Sequence, residues 1–378
     1  MLAACHSTDV ELCYDEHPHR SEIAFTFDIQ GAHDNLDTMA IFAIRNLNLL
    51  RYYMLVDIKP DGTPSSGKMV APEPFREPFD PEDANSDHKL TLHTGDYDLL
   101  AFSGNTGYYD NNLQQVLTGT VDDIDSLCIT YHSYPSTSGH PILQRFSYWR
   151  SENTYSDYII GGDILPIYMA QNSLSVPKET TARPIPCHFI ANNICQHITI
   201  EFDITKSDYT DAVVDSVICE LSGIPHRMYL FKNTVDVSRT FKTLYKATLS
   251  KQPDDQIGDE SVTVKGEVWV TGLVRSAKQS YTTGPGILTI RVYFRDGKGR
   301  NNEATAFINL YNTLSSVETS SLIEKDNGEI VQRTKELYIN LAPAILDLKN
   351  AILTSEKEIG IDEWWSPLGA NKEIPLDI

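Results

Sequence analysis

The chain has 378 residues, 41% hydrophobic and 22% charged, the proportions of a folded globular protein rather than a disordered one. A formal charge of -21 argues against nucleic acid, which needs clustered Lys and Arg, and against polybasic attachment to a membrane surface. The length exceeds what one core normally serves and predicts two domains, and no apolar run approaches the roughly 18 residues of a membrane-spanning helix.

The chain opens on Met1-Leu2-Ala3-Ala4-Cys5, the pattern of a bacterial lipobox, in which small residues precede a cysteine that becomes the acylated N-terminus. Acyl chains give membrane affinity of about 0.8 kcal/mol per buried CH₂, and stable anchoring takes more than one chain. Cys5 is therefore the expected lipidation site, with residues 1–20 as a polar tether. The charged and apolar regions of a signal peptide do not precede Cys5 in this sequence, so either the sequence is shortened at its start or the four residues match by chance.

Next come Cys13, Asp15, Glu16, His17 and His19, residue types that ligate metals, although a polar lead-in with no fixed scaffold is the plainer reading. The other cysteines, Cys128, Cys187, Cys195 and Cys219, are too sparse for a disulfide scaffold and read as small buried hydrophobes. Cys187 and Cys195 are the one close pair, and their spacing fits no standard zinc pattern.

From residue 21 the chain reads as strands. Ile23, Phe25, Phe27 and Ile29 alternate with Ala24, Thr26 and Asp28, the period of two that marks one buried face. Met39 to Ile44 is a short apolar run. Tyr52, Met54, Val56 and Ile58 alternate again before the turn Lys59-Pro60-Asp61-Gly62. Residues 60–87 form a loop rich in Pro, Gly, Ser and acid. Asp80, Glu82, Asp83 and Asp87 fail the calcium-loop pattern for want of its Gly and terminal Glu. Gly95 to Phe102 and Leu127 to Tyr131 are further strands, and Asn111 to Leu117 is a candidate helical turn.

A first domain is expected over 21–175 and a second over 186–378, divided by the polar stretch carrying Pro177, Pro184 and Pro186. The clearest strand runs from Ile194 to Ile204. Ile198, Ile200, Phe202 and Ile204 face one way; His197, Thr199, Glu201 and Asp203 face the other, which makes His197 a solvated histidine. Ala212 to Leu221 and Met228 to Phe231 read as strands around a break at Ser222-Gly223-Ile224-Pro225. Val262 to Val270 alternates, and Ile287 to Phe294 ends in the hairpin signal Asp296-Gly297. Leu337 to Leu341 is a late strand, Ala344 to Leu353 a candidate short helix, and Trp364-Trp365 a packing closure. Many short strands between Gly, Pro and Asn turns predict an all-β protein built as β-sandwiches.

Signatures of catalysis are missing. There is no G-x-S-x-G elbow, no Walker loop, no H-E-x-x-H and no dinucleotide-binding fingerprint. Thr283-Gly284-Pro285-Gly286 is a turn whose Pro removes a donor that a phosphate would need. With 52 acidic residues no glycosidase pair can be singled out, so no catalytic residue, cofactor or metal is assigned.

The lipobox, the lead-in Glu11-Leu12-Cys13-Tyr14-Asp15 and the strand Gly95-Asp96-Tyr97-Asp98-Leu99-Leu100-Ala101 resemble the fimbrillin-related surface lipoproteins of Bacteroides-type bacteria. Ile164-Leu165-Pro166-Ile167-Tyr168 and Leu221-Ser222-Gly223-Ile224 are similar to the same group, in particular its branch labelled DUF5119. The resemblance implies two tandem transthyretin-like β-sandwich domains and attachment to the outer membrane through lipid on Cys5. The implied role is that of a pilus subunit, anchor or accessory, joined to other fimbrial subunits by β-strand addition. In that family, polymerising subunits lose an N-terminal strand by cleavage after Arg. Here a cut after Arg20 would remove only the tether, whereas a cut after Arg45 or Arg51 would remove the strand Ile23–Ile29; an anchor keeps it. A free-standing surface module for glycan or host protein is the alternative, and a secreted hydrolase with two carboxylates about 5–9 Å apart is the third reading.

Overall fold

The computed structural model describes residues 20–30, 39–47, 50–58, 64–70, 90–103, 109–112, 115, 124–132, 134–135, 157–161, 166–178, 183–206, 209–236, 238, 240–274, 286–310, 336–341, 344–347, 352–355 and 364–365. In chain order the strands are β1 (Arg20–Gln30), β2 (Met39–Leu47), β3 (Leu50–Ile58), β4 (Pro64–Val70), β5 (Leu90–His93), β6 (Gly95–Ser103), β7 (Tyr109–Asn111) and β8 (Cys128–Tyr131). They continue as β9 (Tyr134–Pro135), β10 (Asp157–Ile160), β11 (Tyr168–Val176), β12 (Ile185–Asn193), β13 (Gln196–Thr205), β14 (Val213–Pro225), β15 (Arg227–Tyr229) and β16 (Thr234–Val235). The last are β17 (Thr240–Leu249), β18 (Ser261–Val270), β19 (Ile287–Arg295), β20 (Asn301–Asn309), β21 (Glu336–Asn340), β22 (Ala344–Asp347), β23 (Ile352–Ser355) and β24 (Trp364–Trp365). Helix is confined, among the described residues, to Gln115 and two short 3₁₀ turns at Ile124–Ser126 and Pro253–Gln256. The protein is all-β.

Two compact units form, and neither is contiguous in sequence: residues 1–104 with 169–192, and 105–168 with 193–378. A single cut near residues 172–186 would leave 105–168 with the first unit. Strand pairing puts that segment in the second, because β8 pairs with β15 and β10 with β17. The segment is further tied by Tyr131, whose hydroxyl accepts a 2.7 Å bond from the Thr271 amide.

The first unit is one sheet in the order β4-β3-β2-β6-β11-β12-β1-β5. Within it β11 and β12 bury alternate residues, as period-two sequences require, whereas β6 buries Leu99, Leu100, Ala101 and Phe102 in succession. Leu174 and Val176 of β11 and Cys187, Phe189 and Ala191 of β12 point inward, while Ser173, Ser175, His188, Ile190 and Asn192 point outward.

In the second unit, β14-β19-β20-β23-β22-β13-β18-β17 run in hydrogen-bonded succession, and β17 also pairs with β14, so the succession closes on itself as a sandwich joined at its corners. The corner is β17: residues 240–247 pair with β14 and residues 248–249 with β18. The core takes Ile198, Ile200, Phe202 and Ile204 from β13 as the alternation predicts, at 0%, 1%, 2% and 0% exposure. Opposite them on β18 lie Val268, Gly266, Val264 and Val262.

Several expectations change. Residues 60–87 are not all loop, because Pro64–Val70 forms β4 against β3. Ser222 to Pro225 does not break the chain: β14 runs through it, and Gly223, at φ 93, takes up a register shift against β17. Gly suits this position because a side chain would be strained there. Ala344–Asp347 and Ile352–Ser355, within and beyond the candidate helix, are strands. Ala344–Asp347 pairs antiparallel with Ile352–Ser355, and Ala344 and Ile345 also pair with Ile204 and Thr205, so sheet pairing overrides the helix-forming residue types. Finally, β14, β19 and β20 are covered on both faces. Glu220 of β14, Lys242 of β17, and Thr289 and Arg291 of β19 are all buried. The Lys242 ammonium meets Glu220 at 2.9 Å, and Arg291 meets Glu303 at 3.1 Å.

Candidate functional site

The N-terminal strand is the element on which the expected assembly chemistry turns. Its alternating sequence makes a one-faced strand, and the sheet holds it on both edges. From Ile23 opposite Ile185 to Gln30 opposite Asn192, β1 runs parallel to β12; from Arg20 opposite His93 to Ile23 opposite Leu90, it runs antiparallel to β5. Ser21, Ile23 and Phe25 point into the core at 2%, 4% and 4% exposure. Phe25 and Phe27 bracket Phe189 of β12, with ring centroids 5.9 and 5.3 Å away in stacked geometry. On the opposite face Thr26 Oγ1 and His188 Nδ1 are 2.9 Å apart.

Sequence reasoning located this strand but not its receiver. Cys187, Phe189 and Ala191 carry the same period of two, yet they follow Pro184 and Pro186, which read as a boundary. Burying Ile23 and Phe25 stabilises by roughly 1.5–3 kcal/mol each, before the main-chain bonds on both edges. The strand is an integral member of the sheet.

Arg45 lies within β2, opposite Tyr52 of β3 and Tyr97 of β6. Arg51 lies near the start of β3, opposite Asn46. Both candidate cut sites thus sit in paired strands, at the end of one hairpin. Scission after Arg45 would detach β1 together with most of β2, a strand flanked by β3 and β6. Arg20 is the first residue of β1 itself.

Cys5, the ligand-like lead-in from Cys13 to His19, and the acidic residues Asp80 to Asp87 lie outside the described residues. Cys128, Cys187, Cys195 and Cys219 form no disulfide with one another and are buried, as small hydrophobes are. Burial pushes the Cys187 thiol up to about 11 and the Cys219 thiol up to about 12, so neither is a poised nucleophile. His197 stands on the outer face of β13, as the alternation predicts. Its ring stacks on Trp269 at 4.4 Å, and its Nδ1 is 2.8 Å from Glu336. Among the described residues no group of three or more His, Cys, Asp or Glu forms a metal cradle, and no helix is long and apolar enough to cross a membrane.

No family model matches the chain, and no curated protein does. Solved structures do align over most of its length. One is a candidate adhesin of Bacteroides ovatus, 12% identical, covering 88% of this chain and 99% of the other at a TM-score of 0.43. Another is the fimbrial anchor protein Mfa2 of Porphyromonas gingivalis, 10% identical, covering 89% and 95% at a TM-score of 0.39. A third is a candidate polysaccharide-binding protein of Bacteroides thetaiotaomicron, 10% identical, covering 90% and 99% at 0.38. These neighbours are adhesion, fimbrial and polysaccharide-binding proteins. At such identities and TM-scores the likeness assigns this chain no role.

Proposed function

We propose that the chain is a non-enzymatic surface lipoprotein that serves as a fimbrial anchor, accessory or subunit, anchor or accessory being preferred to shaft subunit. Lipid on Cys5 would hold it to the outer membrane, and other fimbrial subunits would join it by β-strand addition, in which main-chain bonds supply affinity and alternate side chains specificity. Each unit is taken as a transthyretin-like sandwich. The observation that supports the preference is the seating of β1 between β12 and β5, with its apolar face in the core. A shaft subunit must vacate a single slot for its neighbour's strand. A cut after Arg45 or Arg51 would empty two slots, one between β12 and β5 and one between β3 and β6.

The test is intact mass and N-terminal sequencing of the mature protein from its native membrane fraction, expressed from the full gene. The expected product begins at acylated Cys5 and is uncut at Arg45 and Arg51. A product beginning after either arginine would make it a shaft subunit, and one with neither lipid nor cleavage would remove the membrane attachment altogether.

A second reading, a free-standing binding module for glycan or host protein, is favoured by the outer face of β21, β13 and β18, where Tyr338 is 57% exposed beside the His197–Trp269 stack. Binding of the whole protein to arrayed glycans that is lost in Tyr338→Ala would support it.

A further inference from the structure

Three loops meet at one end of the second unit: residues 206 and 209–212, residues 250–260 and residues 296–300. They are locked together by buried polar groups. Lys206, at 0% exposure, donates through Nζ to the carbonyls of Gln256 at 2.7 Å, Ala212 at 3.0 Å and Thr210 at 3.4 Å. Gln256, also at 0%, accepts from the Val214 amide and donates to the Val214 carbonyl, both at 2.9 Å. Main-chain bonds run from Gly258 to Thr210 and from Lys206 to Glu260. A Cβ at Gly297 would collide with the Asp211 carboxylate, so the third loop is pressed against the first. Burying an ammonium group is unfavourable unless it is fully hydrogen-bonded, and here burial holds the Lys206 pKa below its usual value. These are loops built to hold one shape.

What they display is apolar. Ile257 is 68% exposed and Tyr209 is 45% exposed. Each directly precedes a member of the hydrogen-bonded pair Thr210 and Gly258, so the two backbones are neighbours. Around them Asp211, Asp254, Asp255 and Glu260 are exposed. Of the exposed cations of these loops, Lys251 pairs with Asp259 and Arg300 with Asp296, each at 2.7 Å, which leaves Lys298 against the acidic majority. An exposed aliphatic and aromatic pair on preorganised loops, inside an acidic rim, has the anatomy of a protein-docking hot spot.

We propose that this tip docks a partner protein whose contact surface is an apolar pocket rimmed by Lys or Arg. A saccharide fits poorly, because Ile257 offers neither a ring face nor a hydrogen bond. A second copy fits poorly too, because two acidic tips on chains of charge -21 would repel. The proposal is independent of lipid on Cys5 and of cleavage at Arg45 or Arg51.

The test places a photo-crosslinking amino acid in the full chain in its native cells, at position 257 or 209, with the exposed positions 190 and 246 as controls. The expected result is one discrete protein adduct from 257 and 209 that the controls lack, to a partner that mass spectrometry identifies as basic at the linked surface. Its yield should fall on the order of tenfold when Asp254→Lys and Asp255→Lys are combined, with the thermal midpoint unchanged because both carboxylates are exposed. No adduct, an adduct shared with the controls, an adduct to a second copy of this chain, or a yield indifferent to charge reversal would overturn the proposal.

Discussion

Phe25→Ala tests how firmly the first strand is held. Phe25 is 4% exposed and stacks at 5.9 Å on Phe189, itself 1% exposed. Truncation removes the transfer free energy of a buried ring and leaves a cavity between β1 and β12, together about 3–5 kcal/mol. With a urea dependence of about 2 kcal/mol per molar, the midpoint of the first unit should fall by roughly 1.5–2.5 M. Two units can unfold separately, so the assay must be local: hydrogen exchange of the β12 amides from Cys187 to Ala191, followed through a urea series. A cycle with Phe189→Ala should give a coupling of about 0.5–1.5 kcal/mol. A midpoint shift below about 0.5 M, or β12 protection unchanged by the substitution, would mean that β1 rests loosely on the sheet. A strand held so loosely would not mark an anchor that retains it.

Lys242→Ala should destabilise the second unit by about 3–5 kcal/mol in chemical denaturation, because it strands the Glu220 carboxylate at 4% exposure. The paired replacement of Lys242→Met with Glu220→Leu should recover most of that loss, and equal loss in single and double variants would refute the account. Stability should also decline at alkaline pH. The Cys219 thiol is raised from 9.0 to about 12 by burial, so above pH 9 the unfolded chain releases a proton that the folded one keeps. The contribution is intact below pH 9 and is lost at about 1.4 kcal/mol per pH unit as the pH rises toward 12. Cys187 and Tyr245 act in the same direction, whereas Lys206, whose pKa is lowered, opposes them below its unfolded value. Cys219→Ala should flatten the slope of unfolding free energy against pH by about 1.4 kcal/mol per unit, and an unchanged slope would count against the burial argument.

The surface tip and the buried ion pair were not legible in the sequence. Glu220 and Arg291 stand between apolar neighbours, as outward residues of a one-sided strand do, and Lys206 and Lys242 each have a polar neighbour, as loop and surface residues do; nothing local distinguishes a strand covered on one face from one covered on both. Likewise Ile257 and Tyr209 are about fifty residues apart, and they become neighbours through the bond from Gly258 to Thr210.

The sequence by itself determined that the chain is built of strands and, where it alternates strictly, which face of the strand is apolar. The alternations at Ile23–Phe25, Ile198–Ile204 and Val262–Val270 return as strands whose apolar positions are buried, because the pleat places successive side chains on opposite faces whatever the partner. Only the tertiary structure decided who pairs with whom. The parallel union of β1 with β12 spans some 160 residues, and segment 105–168 crosses to the second unit through β8 and β10. Main-chain hydrogen bonds are alike at every position, so a strand's sequence specifies its buried face but leaves its neighbour to be chosen by how the cores pack.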